Sequence, residues 1–347
     1  MAHDPLSSQL KAGVKAGIIS RQQAEALQTL WRPEPGQGPA RFDLTHLLYY
    51  LGALLAIGAM TVFMERGFEQ FGGFGMLAIA LVYAAAGLAL QRHFEGRELW
   101  LPAGLALVFV VCLTPLAVYG LQQGMGWWPE GEEYPGLYRR LSGHFVSLEL
   151  ATLLAATLAL VWRRVPFLVF PLALSVWFLA LDGADLLMGE RLNWAVRGQI
   201  SMAAGLVMVA LGLYVDGRQA RPSARGDFAF WLYLFGVLAF WGGLTAQESD
   251  TEWDRAIYGA INLMMMLLGV LLNRRVFTVV GAIGFCGYLG HLAYDLFRDS
   301  LWFPIALTLL GLAVIALGIV WQRHRSRWRL ALLSRLPASL RDYPPFN

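Results

Sequence analysis

Polar and charged positions divide the chain into ten apolar runs of about 17 to 22 residues, the length an α-helix needs to cross a hydrocarbon core of about 30 Å. The runs begin near Leu44, Gly72, Leu99, His144, Val165, Val196, Phe228, Ala256, Val276 and Leu301. The fifth is the shortest and carries Pro166 and Pro171 in its first half. Pro102, Pro115 and Pro304 fall in or near run ends, where a missing amide costs least. The pattern predicts an all-α fold, a polytopic membrane helix bundle of about ten transmembrane helices. Ahead of the first run, helical patterns at Ser7 to Ala16 and Arg21 to Trp31 meet at Gly17-Ile18-Ile19, and Ser20 with Gln23 has the spacing of a capping box. Four parts are expected: a cytoplasmic N-terminal helical pair (1–32), a Pro/Gly-rich linker (33–43), a ten-span transmembrane domain (44–321) and a basic amphipathic cytoplasmic tail (322–347). Residues 1 to 43 show neither the apolar core nor the cleavage site of a signal peptide, so the first run is expected to be retained.

Composition agrees with the pattern. Of 347 residues, 57% are hydrophobic and 15% charged, against about 25% charged in a soluble domain. Little is left for a water-soluble catalytic domain. The formal charge is only +3, but it is unevenly spread. With the N-terminus cytoplasmic, the inner segments hold 20 basic and 9 acidic residues, or +11, and the outer half holds 7 and 15, or −8. The positive-inside rule therefore predicts that both termini are cytoplasmic.

Charges at membrane depth cost about 2.5 to 3.5 kcal/mol each, so the few present are the candidate functional groups. Glu149 lies five residues past His144 in the fourth run, and Asp182 and Asp185 end the fifth. In the ninth, His291 and Asp295 are four apart and share a helix face, with Tyr288 one turn earlier. The candidate binding residues are thus Glu149, His291, Asp295, Asp185, His144, Asp182 and Tyr288. One reading is an outward-open polar pocket in which Glu149, His291, Asp295 and Asp185 converge, suited to a cation, a proton relay or a small polar solute. In the other, these groups sit at headgroup level, snorkel to water and pair with Arg197 or Arg139. Axial haem or metal ligation by His144 and His291 is disfavoured, because bundle histidines usually make ordinary hydrogen bonds. Cys112 and Cys286 lie in apolar runs, far from any partner at metal-ligand spacing. No cofactor and no metal are expected. Phosphate-binding loops, nucleophile elbows and metalloprotease signatures are absent from the sequence, so a non-enzyme is favoured and no residue is assigned a catalytic role. The aromatics of the loop from Leu121 to Gly143 read as interfacial anchors, and Gly281, Gly284, Gly287 and Gly290 predict a tightly packed ninth helix.

Arg163-Arg164-Val165 and Arg274-Arg275-Val276 match, each followed by an apolar run with Asp185 or Asp295 at its far end. This suggests parallel helical-hairpin repeats, unlike the inverted repeats of many transporters.

The segment Gly17 to Ala24 (GIISRQQA), followed after a linker by Tyr50 to Met60 (YLGALLAIGAM) and then Phe68 to Gly75, resembles a family of bacterial polytopic inner-membrane proteins known only as a domain of unknown function. The resemblance covers roughly the first 90 residues. It implies the architecture and a bacterial inner-membrane location, and transfers no functional residue. The function expected is that of a transporter-like bundle, or one that binds a small solute or cation through an outward-facing acidic and histidine cluster. The alternative is a non-catalytic envelope scaffold or sensor acting through the N-terminal helices and basic tail. Expected partners are anionic lipid headgroups at the tail, and a second copy or a protein partner at residues 1–32. Nucleic acid is not expected, because arginines beside a final span are ordinary.

Overall fold

A computed structural model describes residues 14, 17, 20–24, 44–128, 137–189, 191–218, 226–247 and 251–297, with single helical positions at 305, 308, 309, 311 and 312. For most of 44–70, and for 137–142, 293 and 295–297, only the backbone is described. The chain forms two compact units, Met1–Gly52 and Ala53–Asn347. In the first, the Gln23 amide donates to Ser20 Oγ at 3.1 Å and the Ser20 amide donates to Gln23 Oε1 at 2.8 Å. The capping box is formed, and residues 21–24 are helical. The linker, the tail and most of the N-terminal helical pair lie outside the described residues.

The described elements are helical, with no strand among them. In chain order they are α1 (Leu44–Glu95), α2 (Trp100–Cys112), α3 (Thr114–Gly124), α4 (Leu137–Trp162), α5 (Val169–Met188), α6 (Trp194–Arg218), α7 (Ala229–Thr245), α8 (Glu252–Leu271) and α9 (Arg275–Phe297). Their breaks follow local chemistry. α1 is interrupted at Gly72, whose φ of 64° and ψ of −162° suit a residue without a Cβ. α2 and α3 are one apolar run divided at Leu113, with Pro115 in the first turn of α3. Val165 is extended (φ −101°, ψ 120°), as a residue before proline must be. A single 3-10 turn at Pro166–Leu168 then places Pro171 in the first turn of α5, where it is tolerated.

Among the described residues, seven segments are long and apolar enough to cross a membrane: Phe71–Glu95, Trp100–Gly124, Gly143–Trp162, Pro166–Met188, Trp194–Arg218, Glu252–Leu271 and Arg275–Leu292. Ala229–Thr245 is apolar but shorter. These eight segments correspond to the second through ninth runs of the sequence. Most side chains of the first run, and the tenth run itself, lie outside the described residues. The outward faces are apolar too: Leu150, Leu154, Leu158 and Val161 form an exposed stripe along α4. A surface of that kind is compatible with an integral membrane protein and costly in water.

Small residues set the helix contacts. A Cβ at Gly205 would lie 2.5 Å from the Gly236 carbonyl oxygen, and one at Gly212 would lie 2.9 Å from the Tyr233 ring, so α6 and α7 touch backbone to backbone. The second half of α1 meets α2 and α3 in the same register: Gly73 faces Gly120 and Gly124, Ala80 packs with Leu113, and Gly87 faces Val110. Gly73, Ala80 and Gly87 precede Gly198, Gly205 and Gly212 by 125 residues each, and their partners Gly120, Leu113 and Val110 precede Gly243, Gly236 and Tyr233 by 123. On α9, Gly281 and Gly284 abut Asn262, whereas among the described residues nothing lies within 4 Å of a Cβ at Gly287 or Gly290. Three-residue spacing drifts around a 3.6-residue helix, so the later glycines leave the contact face.

The core is a row of clusters. Leu107, Val111, Ala156 and Leu168 join α2, α4 and the turn after it; Ala173, Met208 and Phe235 join α5, α6 and α7; Tyr233, Met265 and Phe277 join α7, α8 and α9. Ion pairs close one end of the bundle. Arg163 pairs with Glu95 at 3.1 Å, and Arg274 pairs with Asp216 at 2.6 Å and with Asp227. Burial acts against the Arg274 charge, but hydrogen bonds to Asp227 and Asp216 outweigh it and raise the affinity of the guanidinium for its proton. The Tyr233 hydroxyl donates to Asp216 at 2.9 Å, and its ring centroid lies 5.2 Å from the Arg274 guanidinium. The turn that presents Arg274 is a Schellman motif. Asn273 takes φ 54°, and the Arg274 amide reaches Gly269 O at 2.9 Å.

Candidate functional site

The opposite end of the bundle, where α3 and α5 finish and α4 and α6 begin, gathers the remaining charges. On α4, Phe145, Leu148, Glu149 and Thr152 recur at the i, i+3, i+4, i+7 spacing of one face, and on α5 Pro171, Leu174, Ser175, Phe178 and Asp182 do the same. The two faces meet across a cavity of about 570 Å³, which Cys112 and Pro115 at the α2–α3 break, Phe170 and Arg197 complete. Apolar side chains make most of its wall.

Asp185 is buried and fully occupied: it accepts the Leu192 amide at 3.1 Å and an ion pair from Arg197. It fixes the α5–α6 turn, in which Gly189 is left-handed (φ 75°) and caps α5. Arg197 also approaches Asp182 at 3.7 Å. Glu149 differs from both aspartates. Its carboxyl stands within hydrogen-bonding reach of Asp182, and its Oε2 is buried and accepts no hydrogen bond. Among the described residues no basic group lies within ion-pair distance of it. One arginine thus faces three carboxyl groups, and the two it does not hold closely, Glu149 and Asp182, stand at the cavity wall.

His144, near the start of α4, belongs to a separate network. Gln122 Nε2 donates to Ser147 Oγ at 2.5 Å, which leaves Gln122 Oε1 to accept from His144 Nδ1 at 3.1 Å. The imidazole also stacks obliquely on Trp128 (5.2 Å, 35°). Trp128 is thereby a packing residue, and Trp127 beside it is exposed. His291 and Tyr288 lie on α9, none of whose described side chains lines the cavity. The Tyr288 ring packs on Gly259 of α8. The Asp295 side chain lies outside the described residues.

The structure therefore places Glu149 and Asp182 together, Asp185 behind them on Arg197, and His144, His291 and Tyr288 elsewhere. Sequence reasoning treated Arg197 only as a surface partner and overlooked Phe145, Phe178 and Cys112. The helical spacing of the α4 and α5 faces was a readable signal for the two phenylalanines. Cys112 enters only because the helix breaks at Leu113. Both cysteines are free thiols, and no group of three or more His, Cys, Asp or Glu that could hold a metal occurs among the described residues. No family model, curated protein or solved structure matches the chain, so the geometry of the site alone carries the functional argument.

Proposed function

We propose that the chain is a transporter-like integral membrane protein that holds a small solute or cation in the cavity beside Glu149. One observation carries this reading: Glu149, one of whose carboxyl oxygens is buried without a hydrogen-bond partner, lines a cavity of about 570 Å³ beside Asp182. A carboxylate at this depth is costly, and an entering cation offsets that cost. The cavity end of the bundle is then the outer face. The Arg163 and Arg274 end, which carries most of the basic residues, faces the cytoplasm of a bacterial inner membrane, with both termini inside. The matched glycine registers, 125 and 123 residues apart, and the pairing of Arg163 and Arg274 with Glu95 and Asp216 support a parallel helical-hairpin repeat. Membership in the bacterial family resembled by the N-terminal region, anionic lipid contact at the tail and a partner at residues 1–32 belong to the same proposal.

Cys112 lines the cavity, so it reports the electrostatics there. In a Cys286→Ala background at pH 9, a cationic methanethiosulfonate should label Cys112 in preference to an anionic one. Glu149→Gln should reduce that rate ratio about tenfold or more, the effect of about 1.4 kcal/mol of lost attraction. A ratio that Glu149→Gln leaves unchanged, or a thiol inert to both reagents, overturns the proposal.

A further inference from the structure

We propose that the solute is an organic cation, an ammonium or amidinium group carried on an apolar body. This rests on the reading above and narrows it. A bare ion would leave most of the cavity unfilled. At about 30 Å³ per water, a volume of about 570 Å³ would otherwise hold roughly 19 waters. The walls formed by Phe145, Phe170 and Phe178 offer those waters no hydrogen bond. An apolar body displaces them, and the volume lies within the range of small-molecule pockets, about 300 to 1,000 Å³.

Coordination chemistry points the same way. A hard divalent ion takes about six to eight oxygen ligands, and the cavity offers few. The Thr152 hydroxyl is already donated to Leu148 O at 2.7 Å, and no cluster of metal-ligating residues surrounds the site among those described. The sign of the charge is set by Arg197. Its guanidinium is engaged by Asp185 and approached by Asp182, so an anion would meet Glu149 without a free cation to receive it. A neutral solute would leave Glu149 Oε2 as it is, buried and unpartnered. An organic cation satisfies the carboxylate and lays its carbon surface on the rings, whose faces also attract positive charge. The two carboxylates are flanked accordingly: Phe145 lies one turn from Glu149 on α4, and Phe178 one turn from Asp182 on α5.

The test uses the full chain in dodecylmaltoside micelles, with tetramethyl-, tetraethyl- and tetrapropylammonium titrated calorimetrically. Neutral 3-ethylpentan-3-ol, sodium and magnesium serve as comparisons. Affinity should tighten about fourfold for each methylene that becomes buried, equivalent to about 0.8 kcal/mol. The neutral alcohol should bind at least about thirtyfold more weakly than tetraethylammonium. Glu149→Gln should weaken tetrapropylammonium by a similar factor, the low end of what losing one partner of a desolvated charge pair costs. Leu154→Ala, on the outward face of α4, should change nothing. Thr152→Phe, which fills the cavity while keeping both carboxylates, should weaken tetrapropylammonium more than tetramethylammonium, so the test does not depend on the Glu149 variant folding. Sodium or magnesium binding tighter than the whole series, or affinity indifferent to alkyl length, overturns this inference and leaves a cation site standing. No binding of any cation, with charge-blind labelling of Cys112, overturns both.

Discussion

Replacing Gly205 by alanine adds one methyl group at the closest approach of α6 and α7. The new Cβ would lie 2.5 Å from Gly236 O, 2.5 Å from Phe240 N and 2.9 Å from Phe240 Cβ. Two of these neighbours are backbone atoms inside a helix, so no rotamer change relieves the contact. The helices must part by about 1 Å to restore ordinary van der Waals distance, and a gap of that size forfeits a quarter to a half of each contact along the seam. Tyr233 and Val237, both fully buried, lie on the same helix. Overpacking of this kind costs about 1 to 3 kcal/mol, and the rigidity of the neighbours puts Gly205→Ala in the upper half of that range. Gly242→Ala is the matched control. It lies on the same pair of helices, no described residue lies within 4 Å of its Cβ, and alanine gains up to about 1 kcal/mol over glycine in a helix interior. Both variants share that gain, so they should differ by the overpacking cost alone, about 2 to 3 kcal/mol. Reversible unfolding in dodecylmaltoside micelles titrated with sodium dodecyl sulfate measures the difference. Equal stability within about 0.5 kcal/mol would refute the claim that the backbone contact between α6 and α7 organises this half of the bundle.

Two further outcomes follow from the ion pairs. Arg274→Gln strands Asp216, whose side chain is only 11% exposed. Breaking a buried pair costs about 3 to 5 kcal/mol, and the more open Asp227 lowers the expectation to about 2 to 3 kcal/mol. Adding Asp216→Asn should restore at least about 1 kcal/mol, and strictly additive losses in the same unfolding assay would show that the two residues do not interact. Asp185→Asn should destabilise by about 2 kcal/mol, because Asp185 holds both Arg197 and the Leu192 amide. Asp182→Asn should cost less than about 1 kcal/mol but weaken cation binding, and the reverse order of effects would exchange their roles.

The α4 and α5 faces were legible in part. Glu149 and Asp182 stood out because charge is rare in an apolar run, and the spacing of Phe145, Leu148, Glu149 and Thr152 already placed them on one helix face. Nothing in the order of residues tells that the α4 face meets Asp182 of α5 and not His291 of α9, since both helices end in similar acid-bearing turns. That choice depends on the packing of α5 between α4 and α6, where the small Ala173 of α5 joins Met208 of α6 in one buried cluster. The split of Asp185 from Asp182 was equally hidden. Three residues apart, they look interchangeable until the α5–α6 turn brings one under the Leu192 amide.

The sequence by itself determined the apolar helices, the glycine and proline positions at which they can break and the loading of basic residues into alternate loops. Each of these follows from local causes: the length of an apolar run, a glycine or proline at a fixed position, the charge of a short loop. The tertiary structure decided which carboxylate keeps an arginine and which faces the cavity. Burial, pairing and the unpartnered oxygen of Glu149 are set by side chains from helices tens of residues apart. They exist only once the buried clusters that join α2, α4, α5 and α6 and the broken helix at Leu113 have fixed the distances between those helices.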